Sequence, residues 1–240
     1  MKTKTIGKWL VALTVSMAAF GAWAAEAPVA QTPQWAVGDT WVYHYYNEVE
    51  GAMESIRTET VVGVKDGAPI YEAKIHMKSG NADSAYQRVT DADGNELSNN
   101  GINFGGDGHK LLSFPLSVGK EWDADYTRGD GTATPAIVKT HVKVLAYETV
   151  HTDAGDFQAY RIEATGAFQM NLSKMGAMST QRETMWYAPE AKRLVKYEFT
   201  RPSMFREPSV AWHLDLMKMS VSRPNSASDS AQAALPASAP

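Results

Sequence analysis

The chain has 240 residues, 44% of them hydrophobic and 21% charged, with 18 Gly and 11 Pro; this suits one large domain or two small ones and excludes collagen-like, disordered and multi-span membrane chains. A formal charge of -4 at pH 7 offers no basic stripe to neutralise phosphates, so no nucleic-acid partner is expected. Cysteine is absent, which removes disulfides, thiolate nucleophiles and cysteine-based metal sites together.

Residues 1–25 read as a cleaved export signal. Lys2, Lys4 and Lys8 precede the uncharged run Trp9–Phe20, and the small-residue stretch Gly21-Ala-Trp-Ala-Ala25 precedes the first acid, Glu26; this is the charged, apolar and cleavable order of a signal peptide. Cleavage is expected after Ala24 or Ala25. The apolar run falls short of the roughly 20 residues of a spanning helix, so no stable membrane insertion is expected. The mature chain then carries 20 basic and 27 acidic residues, a charge of -7, as suits a soluble periplasmic or secreted protein.

After a lead-in containing Pro28 and Pro33, residues 35–222 read as one β domain. Tyr71, Ala73, Ile75 and Met77 alternate with Glu72, Lys74, His76 and Lys78; Val138, Val142 and Val144 alternate with Lys139, His141 and Lys143; Trp212, Leu214 and Leu216 alternate with His213 and Asp215. A period of two with one apolar and one charged face is the mark of a half-buried strand. Turn signals separate these runs: Lys65-Asp-Gly67, Asp93-Gly-Asn95, Gly129-Asp-Gly131, Asp153-Ala-Gly155 and the hairpin Ala188-Pro-Glu-Ala191. About ten strands follow from this spacing, and strands so close in sequence pair antiparallel. The fold class is therefore all-β, a curved antiparallel sheet or partly open β-barrel. Gly101–Gly108 interrupts the pattern and reads as a surface loop or mouth lid rather than a phosphate loop, since no Lys-Ser/Thr pair or helix follows it. Residues 223–240 are rich in Ala, Ser and Pro and read as a disordered tail.

The string Val37-Gly-Asp-Thr-Trp41 is echoed by Val118-Gly-Lys-Glu-Trp122. The match is short of a strict repeat, and it leaves open a division into two similar meander halves, 35–113 and 114–222.

Three segments carry a resemblance: Val37-Gly-Asp-Thr-Trp-Val-Tyr43, the run Tyr147–Ile162 around Asp153-Ala-Gly-Asp-Phe157, and Trp186-Tyr-Ala-Pro-Glu-Ala-Lys-Arg-Leu-Val-Lys196. Together they resemble uncharacterised exported bacterial β-proteins, with an architecture similar to the half-open barrels of periplasmic lipoprotein carriers. Asp153 stands where that turn often has Pro. The resemblance implies a curved antiparallel sheet and brings no catalytic residue or cofactor.

The residues themselves offer few sites. None of the six histidines forms His-x-x-x-His, so no metal or other cofactor is expected, and His76, His141 and His213 fall on the polar phase of their strands. Met170, Met175, Met178 and Met185 have ligand chemistry suited to Cu(I) but lack a neighbouring His, and read instead as a core hairpin or apolar flap. Gly-x-Ser-x-Gly and His-Glu-x-x-His are both absent, which leaves a hydrolase as a triad assembled from distant residues or as a cross-strand carboxylate pair drawn from Glu59, Glu72, Glu148 or Glu163. The aromatic residues are the stronger candidates: Trp41, Tyr43 and Tyr45 share one face of the first strand and are expected to line the interior, with Trp122, Trp186 and Trp212 near them. They read either as core with cross-strand aromatic pairs or as the wall of a chamber for an acyl chain or other apolar small molecule. Non-catalytic binding of a hydrophobic or amphipathic envelope ligand is the first functional expectation, and docking on an envelope protein through a sheet edge or the tail is the second.

Overall fold

A computed structural model describes residues 27–48, 53–80, 83–170, 177–202 and 209–222; the expected signal and tail lie outside these residues. Twelve strands follow one another: β1 (Thr40–Asn47), β2 (Met53–Lys65), β3 (Ala68–Met77), β4 (Ser84–Thr90), β5 (Glu96–Asn99), β6 (Ile102–Gly106), β7 (Glu121–Arg128), β8 (Ala136–Thr152), β9 (Gly155–Met170), β10 (Ala177–Ala188), β11 (Arg193–Arg201) and β12 (Val210–Ser220). Each pairs antiparallel with its sequence neighbours, and β1 pairs with β12, from Thr40 opposite Ser220 to Asn47 opposite Trp212. The β pattern expected from the sequence is thus present as a complete up-and-down barrel.

The strand count exceeds the sequence expectation in part because Ile102–Gly106, within the segment read as a loop, forms β6 and pairs with both β5 and β7. Its glycines permit a close approach. Gly108, just beyond it, adopts φ +74, and a Cβ there would sit 2.7 Å from the Glu96 carbonyl oxygen, a position only glycine occupies without strain. The two Val-Gly-x-x-Trp strings adopt one geometry, at the starts of β1 and β7. Gly38 N–H donates to the Val61 carbonyl and Gly119 N–H to the Val144 carbonyl, both at 2.9 Å. Val61 N–H answers to Asp39 O, and Val144 N–H to Lys120 O. Both glycines have φ near +90, at 95 and 88.

One end of the barrel is packed solid. The segment 107–120 between β6 and β7 turns inward and buries Leu111, Leu112 and Leu116, and Leu116 exchanges backbone bonds of 2.8 and 2.9 Å with Ala30 of the lead-in. Asn95 clamps this plug from both sides, accepting from Leu112 N–H at 2.7 Å and donating to its carbonyl at 2.9 Å. Beside the plug, Trp35, Trp41 and Tyr71 meet edge to face with centroids 6.0 to 6.2 Å apart, a geometry that adds to their area burial. Asp39, only 2% exposed, ties three elements together: it accepts from Lys192 Nζ at 2.8 Å, from Ser222 N–H at 2.6 Å and from Ala36 N–H at 3.2 Å. Burial would raise its pKa, but Lys192 and these donors hold it below the ordinary aspartate value.

Candidate functional site in the barrel lumen

An eight-stranded barrel is just filled by its own side chains, roughly 16 strands leave an open channel, and twelve lie between. A cavity of about 590 Å³ accordingly remains inside, reaching from Lys192 at the packed end to the exposed Asn100 and Arg128 at the ends of β5 and β7. This is the size of a small-molecule chamber.

Its two walls differ in chemistry. On the β2–β5 side, Arg57, Glu59, Tyr86, Arg88, Glu96 and Asn99 face inward. Small Ala73 lies opposite both Glu59 and Tyr86 across β3, which leaves room for these long side chains to meet. Arg88 forks, giving one nitrogen to Glu59 and another to Glu96, while Arg193 reaches Glu59 from β11 at 2.7 Å and lies 4.5 Å from the Tyr71 ring centroid and 5.0 Å from that of Trp41. Glu59 is 3% exposed. Burial alone would raise its pKa, but Arg193, Arg88 and Arg57 outweigh that and keep it below the usual glutamate value; Glu96 is held down against burial in the same way, by Arg88 and His109. Such a network stands only because each charge has partners.

The opposite wall is built from β9–β12 with Phe104 of β6. Trp212 stacks on Phe199 with centroids 5.5 Å apart, and Arg201 lies 4.2 Å from the Phe168 ring centroid. A second polar cluster is set into this wall. Glu183, 0% exposed, accepts from Tyr197 Oη, from Gln181 Nε2 at 2.9 Å and from His109 Nε2 at 3.4 Å, with its second carboxylate oxygen 3.2 Å from the same ring nitrogen. Burial would lower the His109 pKa, yet the Glu183 carboxylate and its hydrogen bond hold it above the ordinary histidine value.

Of the aromatic residues expected inside, Tyr43 and Trp212 line the cavity. Tyr43 is fully buried and donates to the Leu194 carbonyl at 2.9 Å. Tyr45 packs against Trp212 at 5.5 Å between centroids and carries the Arg57 guanidinium 3.9 Å above its ring. Trp41 sits in the packed end with its Nε1–H on the Ala191 carbonyl at 2.8 Å, and Trp122 braces the plug by donating to the Lys110 carbonyl at 3.0 Å. Trp186 is apart from the others, bonded to Glu148 at 2.9 Å and covered by Lys196. The methionines are likewise dispersed: Met185 is buried, Met178 is 72% exposed and Met175 lies outside the described residues.

The charged cluster was missed because alternation normally sends charge outward. In β2 the phase is inverted. Ser55, Arg57, Glu59 and Val61 share the inward face, whereas neutral Ile56, Thr58, Thr60 and Val62 face out. Charges in phase with buried apolar residues were the available signal.

No family model matches the chain, and no curated protein matches it. Three solved structures are similar: a candidate lipoprotein from Parabacteroides distasonis ATCC 8503, with 15% identity, TM-score 0.46 and coverage of 80% of this chain and 99% of that one; a candidate exported protein with a YmcC-like fold from Bacteroides fragilis NCTC 9343, with 13% identity, TM-score 0.41 and the same coverages; and the hypothetical lipoprotein YmcC from Escherichia coli, with 11% identity, TM-score 0.40 and coverage of 74% and 84%.

Proposed function

We propose that this is an exported, non-catalytic binding protein of the cell envelope, and that its barrel lumen holds one amphipathic small molecule. The observation that carries the reading is the cavity of about 590 Å³, whose lining combines ionised and amide groups from β2–β5 with the rings of Phe168, Phe199 and Trp212 from β9–β12. A purely apolar ligand would leave the first set unmatched and a purely polar one the second. The outer surface supports a water-borne barrel: Lys74 and His76 on β3 and Lys139, His141 and Lys143 on β8 are exposed, where a lipid-facing band would be apolar. The closed ring gives every described strand two neighbours, which leaves little template for docking by strand addition beyond the one-sided end of the β8–β9 hairpin. The lumen histidine, His109, bonds to Glu183 rather than to a serine hydroxyl, so the site favours binding over acyl transfer.

Native mass spectrometry of the mature protein, purified gently from its own envelope, tests this reading. A stoichiometric adduct lost on denaturation and recovered in organic extract is expected. Titration with the neutral fluorophore N-phenyl-1-naphthylamine supplies the in vitro test. A bare mass together with no fluorescence enhancement overturns the reading.

A further inference from the structure

We propose that the lumen selects an anionic amphiphile and that its carboxylate or phosphate head binds at Arg57 and Arg88. This rests on the lumen-binding reading and specifies its ligand class.

The charge balance of the cavity points to an anion. The chain as a whole is acidic, at -4, yet Arg57, Arg88, Arg128, Arg193 and Arg201 line the lumen against three carboxylates, while Lys192, also in the lining, is paired with Asp39. Those carboxylates are already engaged. Glu59 serves Arg88 and Arg193, Glu96 serves Arg88, and Glu183 serves His109 and Tyr197. Arg57 has no carboxylate within ion-pair distance among the described residues, and is held on the Tyr45 ring instead. The Nε groups of Arg57 and Arg88 are both buried and have no hydrogen-bond partner. A buried guanidinium N–H without an acceptor is costly, and two of them on strands β2 and β4, whose charges both act on Tyr86, form a place where an incoming anion completes an existing set of donors.

The geometry also fixes orientation. With its head at Arg57 and Arg88, the ligand lays its apolar body across the lumen on Trp212, Phe199 and Phe168, because the other wall has no apolar ring of comparable size facing inward except Tyr86, which belongs to the head site. Arg128, exposed at the mouth, presents positive charge to an approaching anion.

The test is displacement of N-phenyl-1-naphthylamine by dodecanoate, by 1-dodecanol and by inorganic phosphate, on the wild type and on Arg57→Gln and Arg57→Lys. Dodecanoate is expected to bind at least about tenfold more tightly than dodecanol, with Arg57→Gln removing most of that preference and Arg57→Lys retaining part of it. In parallel, carboxyl-13C dodecanoate bound to the wild-type protein should stay ionised to lower pH than the free acid, a readout that requires no variant to fold. Equal binding of acid and alcohol overturns the anionic head while leaving lumen binding intact. A preference unchanged in Arg57→Gln overturns the assignment to Arg57 and Arg88. Phosphate binding as tightly as dodecanoate overturns the amphiphile in favour of a small-anion site. Failure of the neutral fluorophore itself to bind overturns the lumen-binding reading beneath both.

Discussion

At the packed end of the barrel, Trp41, Tyr71, Leu116 and Met185 are at most 1% exposed, and the polar atom of Trp41 finds a backbone carbonyl. Halfway along the same ring, Glu59 is nearly as dry at 3% exposure, but it is ionised and shared between two arginines. The packed end gains stability from apolar area removed from water. The lumen instead holds charges that remain tolerable only while each has a partner, and well-packed apolar residues would serve stability as well or better. Its residues therefore point to a use other than holding the fold together.

Substitutions separate the two regions by what they damage. The largest stability loss is expected from Trp41→Ala, about 3 to 5 kcal/mol by cavity formation, read by denaturant unfolding. Glu59→Gln should cost roughly 3 kcal/mol, because Arg193 would be left in the interior with a neutral partner and Arg88 with Glu96 alone; a loss below about 1 kcal/mol would show a wetter lumen. Trp212→Ala should cost less, about 1 to 2 kcal/mol, since one side of the ring already faces a cavity. Unlike Trp41→Ala in any folded fraction, it should abolish binding of the neutral fluorophore. If Trp212→Ala leaves that binding intact, the apolar wall has been wrongly placed. The smallest effect belongs to Trp186→Ala, under about 1 kcal/mol, with binding unchanged.

Acid and alkali sharpen the same contrast. Asp39, Glu59 and Glu96 have pKa values lowered by folding, so the stability they contribute is complete above the ordinary carboxylate values and is lost as pH falls below them through the lower folded values. His109 runs the other way. Its folded pKa is raised, so its contribution is complete below the ordinary histidine value near 6.5 and is lost as pH rises through the higher folded value. Thermal unfolding between pH 6 and 9 should show a declining midpoint that flattens in His109→Gln. An identical slope in that variant would remove His109 from the account.

The half-buried strands were legible because the period of two in Tyr71–Lys78 and Ala136–Val144 reports a physical surface with one wet and one dry side. Closure of the ring was not legible. It depends on β5 and β6, four and five residues long, whose Asn- and Gly-rich strings look like turns until Gly108 is seen to lie against the Glu96 carbonyl. The aromatic expectations divide for a related reason: sequence phase places Trp41, Tyr43 and Tyr45 on one face, but depth along the barrel decides that Trp41 is packed and Tyr43 faces the cavity. The ionic network escaped because its members lie on β2, β4, β5 and β11, and no local spacing joins Glu59 to Arg193.

The Asp39 junction governs the order in which this molecule can be assembled. Its partners Lys192 and Ser222 lie 153 and 183 residues further along the chain, and β1 gains its second neighbour only when β12 arrives. A chain emerging N-terminus first therefore keeps the first strand half-paired, with the rings of Trp41 and Tyr43 awaiting their carbonyls from residues 191 and 194, until nearly everything else is in place. Contacts so distant close slowly and late, so the unsealed meander is the species most exposed to aggregation. The last strand to appear is the one that ends that exposure.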